Sequence, residues 1–197
     1  MAHIKSALEL ALERTEGVKS DKDSIKQYDL KRDGKRLAGL FLENPEGKSL
    51  EGELKKYPKQ DQATVRRGIF DILIAQVSLP NVKEDLKRIE TVGKGLQAIL
   101  ADKRFGQLYA QLTQMLNQFL SELEQYDEAI RRQFAPKLRQ KEEELARRMG
   151  RAVKIDPFQD PEFVGFYNQN MNALKERYQT VIHQVREQAA ALIETTP

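Results

Sequence analysis

From Arg104 to Ile193 the apolar residues recur at steps of mostly three and four. Leu108, Leu112, Met115, Phe119, Leu123, Tyr126, Ile130, Phe134, Leu138, Leu145 and Met149 lie on one helical stripe. Phe163, Tyr167, Met171, Leu174, Tyr178, Val181, Ile182, Val185 and Leu192 form a second. Gly150 stands between them, where a left-handed residue ends a helix. Asp160-Pro161-Glu162 reads as a helix start: an N-cap acceptor, a proline at N1 and an acid for the dipole. Val153 and Ile155 alternate with charges, which predicts a briefly extended link. Folding at Asp156 sets Met149 against Phe163, Leu145 against Tyr167, Leu138 against Leu174, Phe134 against Tyr178 and Ile130 against Ile182. In this register the outgoing helix outruns its partner at Phe105–Met115. Pro136 removes one hydrogen bond and predicts a kink near Arg132.

The first half reads as shorter helices. Ile4, Ala7, Leu8, Ala11 and Leu12 form a stripe that ends before Gly17, and Ser20–Asp23 is a polar break. A second helix spans Ser24–Leu42, weakened by Gly34 and Gly39. Asn44–Gly47 is a turn, and Ser49 caps a short helix with Leu50 and Leu54. Asp61–Leu79 is apolar on nearly all sides, which argues burial on several faces. Pro80-Asn81 stops it, and Val82–Ala101 is amphipathic. No stretch alternates long enough for a sheet. The fold class expected is all-α. A long antiparallel coiled-coil hairpin (103–197) carries an N-terminal helical subdomain (1–102) packed at its open end.

Composition narrows the setting. The chain has 197 residues, a formal charge of +3, no cysteine and no tryptophan. A disulfide framework and a thiolate zinc site are excluded. Lys5, Glu9 and Glu13 interrupt the first apolar positions, unlike a signal peptide. No apolar run approaches the ~20 residues of a membrane span. A soluble cytoplasmic protein without membrane contact is expected.

The opening Ile4-Lys-Ser-Ala-Leu-Glu-Leu-Ala-Leu-Glu-Arg-Thr15 resembles a family of small bacterial helical proteins without assigned function. So do Gln140-Lys-Glu-Glu-Glu-Leu145 and Gly150-Arg-Ala-Val-Lys-Ile-Asp-Pro157. The resemblance implies a bacterial cytoplasmic setting and brings no catalytic residue with it.

The motifs that could carry chemistry point the same way. His183 is not preceded by Glu at the third position back, so the di-iron bundle pattern is missing. Val92-Gly-Lys-Gly-Leu96 lacks phosphate-loop spacing and a preceding strand, and reads as a helix whose small residues allow close packing. The carboxylates sit beside Lys and Arg on polar faces, as solvated ion pairs do. No catalytic, cofactor-binding or metal-ligating residue is expected, and the protein is not expected to be an enzyme.

One asymmetry stands out. Residues 131–154 hold nine cations and three acids, an excess of +6, while the remaining residues sum to −3. The candidate partner-binding residues are Arg131, Arg132, Arg139, Arg147, Arg148, Arg151, Lys154 and Phe158. Arg147 and Arg148 also complement the negative end of their helix. Phe158 reads equally as a staple over the hairpin end. The function expected is a non-enzymatic interaction or scaffold protein acting through the hairpin. Its partner is a protein or a second copy of the chain, and Phe105, Leu108 and Leu112 are covered either by the N-terminal helices or by that second copy. The alternative is a nucleic-acid- or ribosome-associated factor using the basic arm 131–154.

Overall fold

In a computed structural model the chain is all-α. The structure describes residues 7–47 and 49–195, and of residues 7–21 the backbone alone. Among these residues six helices form: α1 (Ala7–Glu43), α2 (Leu50–Leu54), α3 (Lys59–Ala75), α4 (Lys83–Leu100), α5 (Lys103–Met149) and α6 (Pro161–Thr195). A 3-10 turn, Pro157–Gln159, precedes α6. Two compact units interleave along the sequence. The first comprises Met1–Gln76, Thr91–Lys103 and Ala189–Pro197, and the second comprises Val77–Glu90 and Arg104–Gln188.

In the first unit α1 and α3 cross at two glycines. A Cβ on Gly34 would lie 2.1 Å from the Val65 carbonyl oxygen, and one on Gly68 would lie 2.2 Å from that of Lys31. Only hydrogen fits at either position, so the two backbones touch. Ion pairs Lys26–Asp61 and Lys31–Asp71, both 2.8 Å, flank the crossing. Partner numbers rise together on both helices, so α1 and α3 run parallel. Val65, Ile69, Phe70 and Leu73 of α3 are buried. Ser49 Oγ accepts the Gly52 N–H at the start of α2, as expected. A Cβ on Gly95 of α4 would meet Phe41 at 2.7 Å and Leu73 at 2.9 Å, so the Gly-Lys-Gly segment is a packing feature. α4 ends at Leu100 and is followed by Ala101, whose φ of 53° is left-handed without being glycine.

Two expectations for this unit need correction. α1 is continuous through Gly17 and Ser20–Asp23, with no break. Ala7–Glu43 contains no proline, and one interior glycine costs only ~1 kcal/mol, less than starting a new helix. Ile4, and the side chains of Ala7, Leu8, Ala11 and Leu12, lie outside the described residues. α3 also stops at Ala75, short of Leu79.

The second unit is built on α5 and α6, which pack antiparallel, but not in the register that folding at Asp156 predicts. The Phe119 and Tyr178 rings lie 4.9 Å apart, and the Phe134 and Phe163 rings 5.3 Å apart. Arg177 pairs with Glu122 at 2.8 Å. Phe134 thus meets Phe163 rather than Tyr178, a displacement of fifteen positions. The cause is the link. Residues after Gly150 are not helical, and they double back along α5 until the Ile155 N–H donates to Glu142 Oε1 at 2.9 Å. Six extended residues cover about 20 Å, the length of about thirteen helical ones. The return helix therefore starts far down α5 instead of opposite its end.

The new register repartners the seam. Leu138 clusters with Phe163 and Met171, while Leu174 joins Phe119, Leu120 and Tyr178. The predicted pairs Leu138–Leu174 and Leu145–Tyr167 are not formed. Val185 comes level with Leu112, and both are buried. Phe105 is buried and Leu108 half-buried, so the positions thought to lie past the return helix are covered within the chain. At the other end Leu145 and Met149 outrun α6 and are 36% and 52% exposed. α5 runs through Pro136 without a break in the helix.

The glycine crossing makes opposite predictions for neighbouring glycines. Gly68→Val should cost about 3 kcal/mol or more, because the backbones must separate. Gly39 has nothing within 4 Å of a built Cβ. Gly39→Ala should therefore gain about 0.5–1 kcal/mol by helix propensity alone. Urea unfolding of the two variants checks both signs.

Candidate partner-binding surface

Asp160 organises the hairpin end. It is 5% exposed and has the extended backbone of an N-cap. Its carbonyl accepts the Val164 N–H, the first hydrogen bond of α6. Oδ1 accepts the N–H groups of Glu162 at 2.9 Å and Phe163 at 3.3 Å. Oδ2 accepts from Lys141 Nζ of α5 at 2.5 Å. Glu162 continues the cluster by pairing with Lys137 and with Lys141. The Lys141 ammonium, then the two backbone N–H groups, hold the Asp160 carboxyl below its usual range. Lys137 and Lys141 do the same to Glu162.

The eight candidate residues differ in what surrounds them. Arg131 is engaged: Nε donates to Asp127 Oδ2 at 2.7 Å, and its guanidinium sits 5.0 Å from the centre of the Phe158 ring. The bond to Arg131 holds Asp127 below the usual carboxylate range. Phe158 packs edge-on to Phe163 and Tyr167, at 5.3 Å and 5.2 Å, while remaining 46% exposed. This pair is the staple over the hairpin end. Arg132 and Arg139 are exposed on α5, away from the Ile130, Phe134 and Leu138 seam. They are two helical turns apart, about 10 Å along the axis. Arg147 and Arg148 close α5, and Arg151 and Lys154 lie on the link. All four are exposed, and among the described residues no ion pair holds them.

Three groups that matter here were not singled out from the sequence. Lys137 and Lys141 counted towards the basic excess, but their acid partners Asp160 and Glu162 lie outside that stretch. With Asp127 included as the partner of Arg131, the local excess halves from +6 to +3. The Asp127–Arg131 spacing of four was legible as a helical ion pair. The Lys141–Asp160 contact was not, because it depends on the register. In the first unit an open apolar hollow is lined by Leu37, Leu40, Phe41 and Leu50, with Arg36 and Glu53 also contributing. Among the described residues no three His, Asp or Glu side chains group as metal ligands would. No helix among them is long and apolar enough to cross a membrane.

The fold and the tip define an all-α protein built on an antiparallel helical hairpin. Residues 51–191 match the model of a family of unknown function, DUF6657. The match spans well over half of the chain, and the protein belongs to that family. No curated protein and no solved structure matches it.

The lowered carboxyls make the hairpin sensitive to acid. Unfolded Asp and Glu titrate near 3.8 and 4.5, and the folded values of Asp160 and Glu162 lie below these. Their stabilisation is complete above about pH 5 and is lost as pH falls through the lowered values. The melting temperature should drop between pH 5 and 3. The double variant Asp160→Asn, Glu162→Gln should start lower by roughly 2–6 °C and change less over that interval. Circular dichroism melts at several pH values measure both slopes.

Proposed function

We propose that the protein is a non-enzymatic interaction protein, a helical scaffold or adaptor that docks a protein partner through its hairpin in the cytoplasm. The observation that carries this reading is the overhang of α5. Leu145 and Met149 continue the apolar seam beyond α6 and stay exposed. Around them Arg147, Arg148, Arg151 and Lys154 lack acid partners. A chain that staples one part of its hairpin end with Phe158 and leaves this part open presents a surface suited to another molecule. Self-association is a further form of the same reading, although Phe105 and Leu112 no longer motivate it, since both are buried.

A second reading is supported by the unpaired cations themselves. Arg132, Arg139, Arg147, Arg148, Arg151 and Lys154 extend along the arm and onto the link, and phosphates of RNA or DNA could follow them.

The test uses the four-fold variant Arg132→Gln, Arg139→Gln, Arg147→Gln, Arg148→Gln. Arg131 is left intact because it supports the staple. Helicity should be unchanged. Capture of native partners by the tagged full chain should fall by about tenfold or more, mostly at low salt. Recovery of proteins that resist nuclease supports the first reading. Recovery of nucleic acid with a steep salt slope supports the second. Unchanged capture would make these four charges a solvated face and remove the second reading, and the first falls as well if capture also survives Leu145→Gln with Met149→Gln.

A further inference from the structure

We propose that the hairpin tip binds an acidic amphipathic segment of another protein, one that presents aliphatic side chains flanked by Asp or Glu. The inference rests on the hairpin being the docking element and names what docks there.

Two features of the tip select this chemistry. The first is charge. From Leu145 to Ile155 the chain carries four cations and no acid. Glu142 of the preceding turn is committed to the Ile155 N–H, while Glu143 and Glu144, immediately before this segment, are exposed and form no ion pair with its cations among the described residues. Arg147 and Arg148 have an internal role at the negative end of α5. Arg151 and Lys154 lie past that end, on the link, and have no such role. The second feature is apolar. Leu145 and Met149 are one helical turn apart on the stripe that α6 fills further down, and both remain exposed. Methionine adapts to varied aliphatic partners.

Charge complementarity and the small apolar area exclude the other occupants. A second copy docking tip to tip would set two cation-only segments against each other. A nucleic acid would use the cations and leave Leu145 and Met149 in water. A bilayer surface asks for a long apolar face, and two aliphatic residues supply little of it. A segment with acids around a few leucines satisfies both features.

The test uses the full chain and a labelled synthetic helix of about 16 residues, with Leu on one face and Glu elsewhere. The controls are the same peptide with every Leu replaced by Gln, a single-stranded RNA of similar length, and phosphatidylserine vesicles. Fluorescence anisotropy should show the leucine peptide bound about tenfold or more tighter than its glutamine control. Leu145→Gln with Met149→Gln should weaken it by about tenfold, as should Arg147→Gln, Arg148→Gln, Arg151→Gln and Lys154→Gln together. Circular dichroism should be that of wild type in both variants. Equal binding of the two peptides, tighter binding of RNA or vesicles, or unchanged affinity in either variant overturns the proposal. If it is overturned while Arg132→Gln with Arg139→Gln abolishes capture of native proteins, the hairpin still docks a partner, but along its side. If native capture also survives every arm and tip variant, the hairpin reading falls with it.

Discussion

The two oxygens of the Asp160 carboxylate do different work, and the hairpin depends on both. Oδ1 takes the first free N–H groups of α6, which starts that helix at Pro161. Oδ2 takes the ammonium of Lys141, which fixes the level on α5 where that start lies. A helix start anchored to its neighbour sets the register of every later contact. Phe163 falls on Phe134, Arg177 on Glu122 and Tyr178 on Phe119 as a consequence. The same anchoring frees the last turns of α5. Had α6 begun opposite Met149, Leu145 and Met149 would have been core residues, and the tip would have had no apolar feature to offer.

Much of this hairpin was legible in the sequence. Local signals did well: Gly150 with φ +65°, the cap at Asp160, the N1 proline and the extended link are all where the residues put them. The register was not legible, because it depends on how far an extended link travels. That distance is a geometric quantity with no local residue signature. The error then spread to the candidate site. With the wrong register Lys137 and Lys141 looked free, and Phe163 and Tyr167 were set against Met149 and Leu145. The unpaired cations Arg147, Arg148, Arg151 and Lys154 were legible, since no acid lies within their segment. The engagement of Arg131 and Phe158 was not, because that pair is held by ring contacts that only the folded end provides.

The first unit shows the converse. Gly34 looked like a weak point in a helix, and in isolation it is one. Its reason lies 34 positions away at Gly68, where the opposing backbone needs the same absence of a side chain. A glycine seen alone in a helical pattern does not declare a partner, and the short spacing motifs of sequence reading cannot link residues so far apart. The α1 break expected at Ser20–Asp23 failed for a related reason. Polar residues permit a helix end without imposing one, and nothing in that stretch blocks the helix.

The register is the claim on which the tip depends, and it can be measured directly. The chain has no cysteine, so spin labels can be placed at will. Gln118, Gln133 and Gln179 are all exposed. One doubly labelled protein carries labels at positions 118 and 179, and the other at 133 and 179. In the register described here, Gln179 is level with Gln118, and Gln133 lies fifteen residues further along α5, about 22 Å away along the axis. Pulsed dipolar spectroscopy should give the shorter distance for 118 and 179. A shorter distance for 133 and 179 would mean that the helices meet in the register of a fold at Asp156, and that Leu145 and Met149 are covered by α6.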